Sequence, residues 1–438
     1  MAIRNRWAIA AAGTAAMACL GTVYSWSLFT QPLVAAFGWS TTRATLAFSV
    51  AIFFLGVGAV LGGRWQDRAG PRPVAVTGAL LWGTGNVLAG LGTARLGAPW
   101  LYLTYGLVGG LGLGLGYVTP VATVTKWFPG RRGLGSGMVV MGFGLGAFFY
   151  NHALRSLPAF AEASRGAAAV LAARAAGGAA SLAPEHVRAV LGVFVGSGLV
   201  FAVVGGLCAS LLVNPPEPAP AGSAAAGAGP DFGPAAAART ARFWALWLML
   251  FLNVTAGILF ISNAVPIMRE LTGAAPAVAL GVYGTIALAN GLGRFLWGAV
   301  SDRIGRRAAY ALIFGTQVLV FLVVGRANAL WLVALLFAVV LLCYGGGFGT
   351  MPSFVADAFG TRHLGVVYGW ILLAWSAAGV VGPVFVAWVK DRTGTFASAL
   401  PWVAGLLAVA TLLPFAVGAP ATPSGPWARR RGPAPGAG

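Results

Sequence analysis

Charged residues are scarce in this chain of 438 residues. Only 8% of the residues are Asp, Glu, Lys or Arg, whereas 58% are hydrophobic, and the mean hydropathy is +0.83. So many apolar side chains exceed what one aqueous core can bury, which excludes a soluble globular protein. The composition therefore predicts a polytopic membrane protein.

Cysteine and histidine are also rare, with three residues of each. Cys19, Cys208 and Cys343 lie inside apolar runs and form neither a CxxC pair nor a Cys/His pattern. We therefore expect no disulfide and no metal site. The sequence predicts no other cofactor.

Acidic residues are the rarest charged class, with nine Asp and Glu against 28 Lys and Arg and a net charge of +19. In a soluble protein this balance would suggest nucleic-acid binding. Here the basic residues occur in short clusters between apolar runs, which is typical of membrane topology signals. We expect a lipid bilayer around the protein and no nucleic-acid partner.

Long apolar runs are abundant. Residues 193–213, for example, are almost continuously apolar, whereas strands of a membrane β-barrel alternate apolar and polar residues. Counting about 20 apolar residues per span, we predict an all-α protein with twelve transmembrane helices in two pseudo-symmetric six-helix bundles. The spans lie near residues 7–35, 42–64, 73–93, 99–123, 132–154, 188–213, 243–268, 276–300, 307–325, 328–352, 364–388 and 396–418.

A segment rich in proline, alanine and glycine divides the predicted spans. Its sequence PPEPAPAGSAAAGAGPDFGP is typical of a flexible linker. We expect an N-terminal bundle at 1–213, a linker at 214–241, a C-terminal bundle at 242–420 and a tail at 421–438. Twelve spans place both termini on one side, where most of the basic residues fall, so the positive-inside rule predicts cytoplasmic termini in the inner membrane. We expect a monomer.

A duplicated motif supports two homologous halves. A Gly-x-x-x-Asp-Arg-x-Gly pattern follows both the second and the eighth predicted helix, at residues 63–70 and 298–305. It places an acid and an arginine at a helix end, where such charges can form a latch that breaks when the halves rock. The expected gating residues are Asp67, Arg68, Asp302 and Arg303. The alternative is that these are topology charges only.

Arg294 is the unusual residue of the eighth predicted helix, because apolar residues flank it on both sides. A guanidinium at that depth costs at least about 2.5 kcal/mol on insertion scales, and such residues usually face a partner or a water-filled pathway. An anionic ligand is one such partner. The alternative is a structural arginine that bonds helix carbonyls or snorkels to the surface.

The motif at 63–72 and 298–307 resembles the cytoplasmic loop motif of the major facilitator superfamily. Within it, the chain resembles the oxalate/formate antiporter and bacterial monocarboxylate transporter family over nearly its whole length. The residues that carry this resemblance lie at 21–29, 243–258, 290–294, 301–303, 368–369 and 374–375.

The resemblance implies a transporter that works by alternating access, with Arg294 matching an arginine that binds the substrate carboxylate. Tyr24, Tyr117 and Tyr344 resemble the aromatic residues that line the central cavity. Trp375 stands where the oxalate antiporter has a lysine.

Without that lysine, Arg294 is the one cation expected at the site, and one arginine neutralises one carboxylate. We therefore expect a monoanion such as lactate, pyruvate or formate. Asn290 stands where animal monocarboxylate transporters have an aspartate, and we count it as a binding residue. No Asp or Glu lies within a predicted span, so proton symport, exchange with a counter-anion and facilitated transport all stay open.

Other classes remain as alternatives. An oxalate/formate-type exchanger and a major facilitator transporter of sugars or drugs both fit the loop motif. A membrane enzyme would need paired catalytic groups in a span, and Arg294 is the only candidate there, so we expect no enzyme.

Overall fold

The computed structural model describes residues 5–216, 231–393, 398 and 400–417. Helices dominate these residues, and no strand occurs in this described part. The all-α prediction is therefore confirmed. The predicted linker and tail fall largely on residues 217–230 and 418–438, which lie outside the described residues, so the domain boundaries stay a prediction.

Helices α1 to α9 form the first half of the molecule. A 3-10 turn, Thr22–Trp26, separates α1 from α2, and π-helical turns at Tyr102–Gly109 and Phe201–Gly205 follow α4 and α8. The helices are α1 Arg6–Gly21, α2 Ser27–Phe37, α3 Thr41–Ala69, α4 Pro71–Leu101, α5 Gly110–Trp127, α6 Arg132–Ser156, α7 Pro158–Ala175, α8 Pro184–Val200 and α9 Gly206–Ser210.

Helices α10 to α18 form the second half. They are α10 Pro234–Ala238, α11 Ala241–Thr272, α12 Pro276–Ile286, α13 Leu288–Ile304, α14 Arg306–Val324, α15 Leu330–Phe359, α16 Leu364–Thr393, α17 Leu400–Ala410 and α18 Leu413–Ala416.

Eight helical stretches of the described residues are long and apolar enough to cross a membrane. One of them, Pro71–Trp127, is 57 residues long and has non-helical backbone angles at Gly97, so it supplies two spans. The shorter apolar helices Leu364–Gly379 and Leu400–Ala416, and α12 continued by α13, supply the rest. The described helices thus account for the twelve predicted spans.

The glycines of the duplicated motif make the tight turns that join neighbouring spans. Gly70, between α3 and α4, has a φ of +83°, and Gly305, between α13 and α14, has a φ of +86°. Glycine adopts these angles without the strain that a Cβ atom would introduce. The motif therefore reverses the chain at equivalent places in the two halves.

An additional helix, α7, lies in the long connection between α6 and α8 and packs against α2. Arg174 of α7 donates hydrogen bonds to the carbonyls of Val34 and Ala35 at the end of α2, at 3.3 Å and 3.0 Å. The carbonyl of Val34 also accepts from the backbone N–H of Gly38, which follows α2. The bonds from Arg174 add to this cap and tie α7 to α2.

The two halves meet along two seams, α6 against α13 and α3 against α16. At the first seam, a Cβ added to Gly133 would lie 2.1 Å from the carbonyl oxygen of Gly298, and at the second, a Cβ on Gly63 would lie 2.1 Å from that of Gly365. Backbone thus packs on backbone, as small residues permit in membranes. We call the end of the molecule that carries these contacts and Arg6 the termini side.

Candidate functional site

Arg294 lies in the interior, between the two halves. Its side chain is 0% exposed, about 15 Å from the Ile304 end of α13 at about 1.5 Å per residue. The guanidinium carbon lies 5.6 Å from the ring centroid of Phe143 and 4.8 Å from that of Phe348. These rings belong to α6 and α15, so both halves supply an aromatic face that stabilises the cation.

The hydrogen bonds of Arg294 are long. Its Nε donates to Oδ1 of Asn290 at 3.4 Å, and its Nη1 donates to the carbonyl oxygen of Val140 at 3.5 Å. Among the described residues, Nη2 has no hydrogen-bond partner, and none of the ion pairs found there involves Arg294. Asn290 therefore orients the guanidinium of Arg294. Within the described part of the chain, no carboxylate pairs with the charge of this guanidinium.

Three tyrosines surround this cation. Tyr24 and Tyr117 lie beside Arg294, and Tyr344 lies beside Tyr24. Their hydroxyl oxygens are buried, and none meets hydrogen-bond geometry with a partner in the described part of the chain. Buried polar groups are normally satisfied, so the arrangement can bind a small acceptor-rich ligand.

Trp375 lies at the centre of the same aromatic cluster and is 0% exposed. The ring centroids of Tyr117, Phe143, Phe348 and Tyr24 lie 5.3, 5.7, 4.8 and 6.1 Å from its ring. Its Nε1 has no partner among the described residues. The indole offers the site one N–H donor and no positive charge.

Close helix packing places Arg294 in the interior. A Cβ added to Gly349 of α15 would lie 1.9 Å from the carbonyl oxygen of Arg294, and one added to Gly144 of α6 would lie 2.7 Å from the Cα of Gly291. The glycines therefore let α13 lie between α6 and α15. All the binding residues that the sequence predicted lie around Arg294.

The motif acid of the second half bonds the first half. Asp302 accepts hydrogen bonds from the backbone N–H groups of Gly133 at 2.9 Å and Leu134 at 2.8 Å, in the first turn of α6. Anions at a helix N-terminus are stabilised by its free N–H groups and its dipole. Arg306 also pairs with Asp302, at 2.7 Å.

The motif acid of the first half makes the equivalent contact. Asp67 accepts a hydrogen bond from the backbone N–H of Val366 at 3.0 Å, in the first turn of α16, and lies 3.9 Å from Nζ of Lys126. Arg68 and Arg303, the other two expected gating residues, are exposed. The cations that approach the two acids are Lys126 and, in the other half, Arg306.

Asp357 extends this network and was not identified from the sequence. Its carboxylate pairs with Arg132 of the first half at 2.8 Å and with Arg306 at 2.9 Å. The signal available was its place directly before residues 358–365, AFGTRHLG, which weakly repeat residues 127–135, WFPGRRGLG. Phe143 and Phe348 were also missed, because a phenylalanine in an apolar span carries no sequence signal of its own.

A cleft of about 400 Å³ opens at the termini side, and Arg294 does not line it. Its wall includes Arg306 and Asp357 of the charge network and Phe415 of α18. The cleft therefore lies beside this charge network and is separate from the buried cluster.

Two known proteins match this chain over most of its length, and another matches 30% of it. The chain is 30% identical to the oxalate:formate antiporter of Oxalobacter formigenes over 383 residues, which cover 86% of this chain and 83% of that protein. It is 32% identical to monocarboxylate transporter 13 of Rattus norvegicus over 130 residues, or 30% of each chain. The solved structure of the E. coli fucose:proton symporter superposes with a TM-score of 0.69 at 17% identity, covering 93% of this chain and 98% of the other.

The profile of the Major Facilitator Superfamily matches residues 11–153, 156–383 and 246–436. These matches and the fold confirm the family resemblance drawn from the duplicated motif. The chain belongs to the major facilitator superfamily and is a multi-pass membrane transporter, not an enzyme.

Proposed function

We propose that this transporter carries a small monocarboxylate by alternating access, with the substrate carboxylate on Arg294. The observation that supports this most is the buried guanidinium, whose Nη2 has no partner among the described residues. A carboxylate there would form a charge-assisted pair and accept from Tyr24, which lies beside Arg294. The similarity to an oxalate:formate antiporter and to a monocarboxylate transporter supports the same substrate class.

The charge of the site favours a monoanion such as lactate, pyruvate or formate. Arg294 is one cation, and the neighbouring indole of Trp375 offers no second one. A second carboxylate beside it would be desolvated without a counter-ion, which costs several kcal/mol. We therefore rank monocarboxylates above oxalate.

The orientation and the conformational state are part of the proposal. We infer that the termini side is cytoplasmic, as the positive-inside rule predicts, in the inner membrane of a cell. The contacts of Asp67 and Asp302 with the opposite half then close the carrier toward the cytoplasm. Opening that side breaks both contacts, which is the gating role we assign to these acids.

An oxalate/formate-type exchanger is the second candidate. The 30% identity to the oxalate:formate antiporter favours it, whereas Trp375 argues against a dianion. A sugar transporter is a third candidate, but the likeness to the fucose:proton symporter supports the fold alone.

Uptake of labelled lactate into proteoliposomes tests the proposal, with unlabelled pyruvate, oxalate and glucose as competitors. We expect saturable uptake that pyruvate inhibits strongly and glucose does not. Inhibition by oxalate as strong as that by pyruvate would favour the exchanger. Inhibition by glucose alone would contradict carboxylate transport.

A further inference from the structure

Four tyrosine hydroxyls around Arg294 form two pairs. Tyr24 lies beside Tyr344, and Tyr117 lies beside Tyr368. All four oxygens are buried, and in the described part of the chain none meets hydrogen-bond geometry with a partner. Each pair joins one residue of the first half to one of the second. Tyr368 has no role in the site as described so far.

The two pairs lie at different depths. At about 1.5 Å per residue, Tyr344 is roughly 22 Å from the Phe359 end of α15, whereas Tyr368 is only roughly 6 Å from the Leu364 end of α16. Since both ends lie on the termini side, Tyr24 and Tyr344 form an outer pair and Tyr117 and Tyr368 an inner pair. The inner pair is the floor of a site that is closed on the termini side.

The site offers more hydrogen-bond donors than one carboxylate can satisfy. Nη2 of Arg294 supplies two N–H groups and Nε1 of Trp375 supplies one, and each tyrosine pair would keep at least one free O–H even if one of its hydroxyls donated to the other. This makes five donors, and a carboxylate offers about four acceptor positions. Formate, acetate or propionate would leave a buried donor unsatisfied.

We propose that Tyr368 is a specificity-determining residue whose hydroxyl, together with Tyr117, binds an oxygen on the carbon next to the substrate carboxylate. This inference rests on the proposed function. Arg294 and the outer pair take the carboxylate, because a ligand entering from the side opposite the termini meets them first. The floor pair then binds the adjacent 2-oxo or 2-hydroxy oxygen, so the site selects 2-oxo and 2-hydroxy monocarboxylates over unsubstituted ones.

Propionate, lactate and pyruvate test this selectivity, because all three have three carbons and differ only at the second. Their binding to the purified protein is measured by titration calorimetry. We expect wild type to bind lactate and pyruvate about tenfold more tightly than propionate, the effect of one hydrogen bond to a buried group. Tyr368→Phe should remove that preference by weakening lactate and pyruvate, with propionate unchanged.

Tyr310→Phe is the matched control. Tyr310 is as buried as Tyr368, but its hydroxyl already donates to the carbonyl oxygen of Gly347. This variant should change the affinities for all three acids by the same factor. Tyr117→Phe, at the other member of the floor pair, should lower the preference as Tyr368→Phe does.

The possible failures are distinguishable. Equal binding of propionate and lactate by wild type would overturn the inference and leave the proposed function standing, and this holds even if Tyr368→Phe fails to fold. A preference that survives both Tyr368→Phe and Tyr117→Phe would also overturn it. Binding of none of the three acids would instead contradict the proposed function.

Discussion

At the scale of single residues, the central feature is a buried cation held by weak contacts from both halves. Phe143 and Val140 of the first half and Phe348 and Asn290 of the second touch Arg294. Aromatic faces and long hydrogen bonds lower the cost of the charge without neutralising it. On the proposed function, the empty carrier is thereby stable enough to fold and still favours an anion.

Phe348 should stabilise the empty protein more than the loaded one, because a bound carboxylate takes over the neutralisation of Arg294. We expect Phe348→Leu to lower the melting temperature without ligand and to enlarge the increase that saturating lactate produces. Loss of the cation–π contact should lower the free energy of unfolding of the empty protein by about 1–2 kcal/mol. Thermal unfolding in detergent measures both quantities.

Phe354→Leu is the control, because Phe354 lies on the same helix and contacts Tyr310. It should lower the melting temperature and leave the lactate-induced increase as in wild type. A lactate-induced increase in Phe348→Leu equal to that of wild type would contradict the role of the ring.

Trp375 sets the charge of the proposed site. Trp375→Lys would add a second cation beside Arg294, so oxalate should gain at least about tenfold in apparent affinity relative to lactate. Competition against labelled lactate measures this in wild type and variant. If oxalate competes equally well in both proteins, the charge-counting argument is wrong.

At the scale of elements, the proposed closed state depends on helix ends and on glycine seams. The sequence motif predicted that Asp67 and Asp302 form a latch, with Arg68 and Arg303 as further gating residues. In the structure the two acids contact the N-termini of helices in the opposite half. Such contacts between segments distant in sequence carry no local signal.

Gly298→Ala should favour opening of the termini side. The new Cβ would lie 2.4 Å from the carbonyl oxygen of Gly133 in the opposite half, so α13 and α6 must separate. Double electron–electron resonance measures the distance between spin labels at the exposed positions 68 and 303, in a background that lacks the three cysteines. We expect this distance to be longer in Gly298→Ala than in the protein without that substitution. Gly315→Ala, where nothing lies within 4 Å, should leave the distance unchanged, and an unchanged distance in Gly298→Ala would contradict the seam.

Asp302→Asn should weaken the latch less than Gly298→Ala does. The amide keeps one oxygen acceptor but loses the charge at the N-terminus of α6, an effect of about 0.3–2 kcal/mol. We expect the open population to rise about 2- to 30-fold and lactate turnover to change more than lactate binding. Glu185→Gln, at the first turn of α8, is the control, and equal effects of the two variants on turnover would count against the latch.

At the scale of the whole molecule, hydropathy and one repeated motif predicted most of the fold. Twelve spans and two halves follow from apolar runs and a repeated motif, because the bilayer fixes the length of each helix. The 3-10 turn Thr22–Trp26 and helix α7 could not be foreseen, since both depend on packing between segments. The same limit applies to the site: Arg294 was conspicuous by its charge, whereas Phe143 and Phe348 are identified only by their contacts.

The central claim is that Arg294 binds the carboxylate of a small monocarboxylate, and binding of lactate to purified Arg294→Lys tests it most directly. Lysine keeps the charge but loses the planar fork that pairs with a carboxylate, so we expect lactate affinity to fall at least about tenfold while the melting temperature of the empty protein stays within a few degrees. Arg294→Ala should abolish binding, because a lost buried ion pair costs about 3–5 kcal/mol. Wild-type lactate affinity in a folded Arg294→Ala protein would contradict the account.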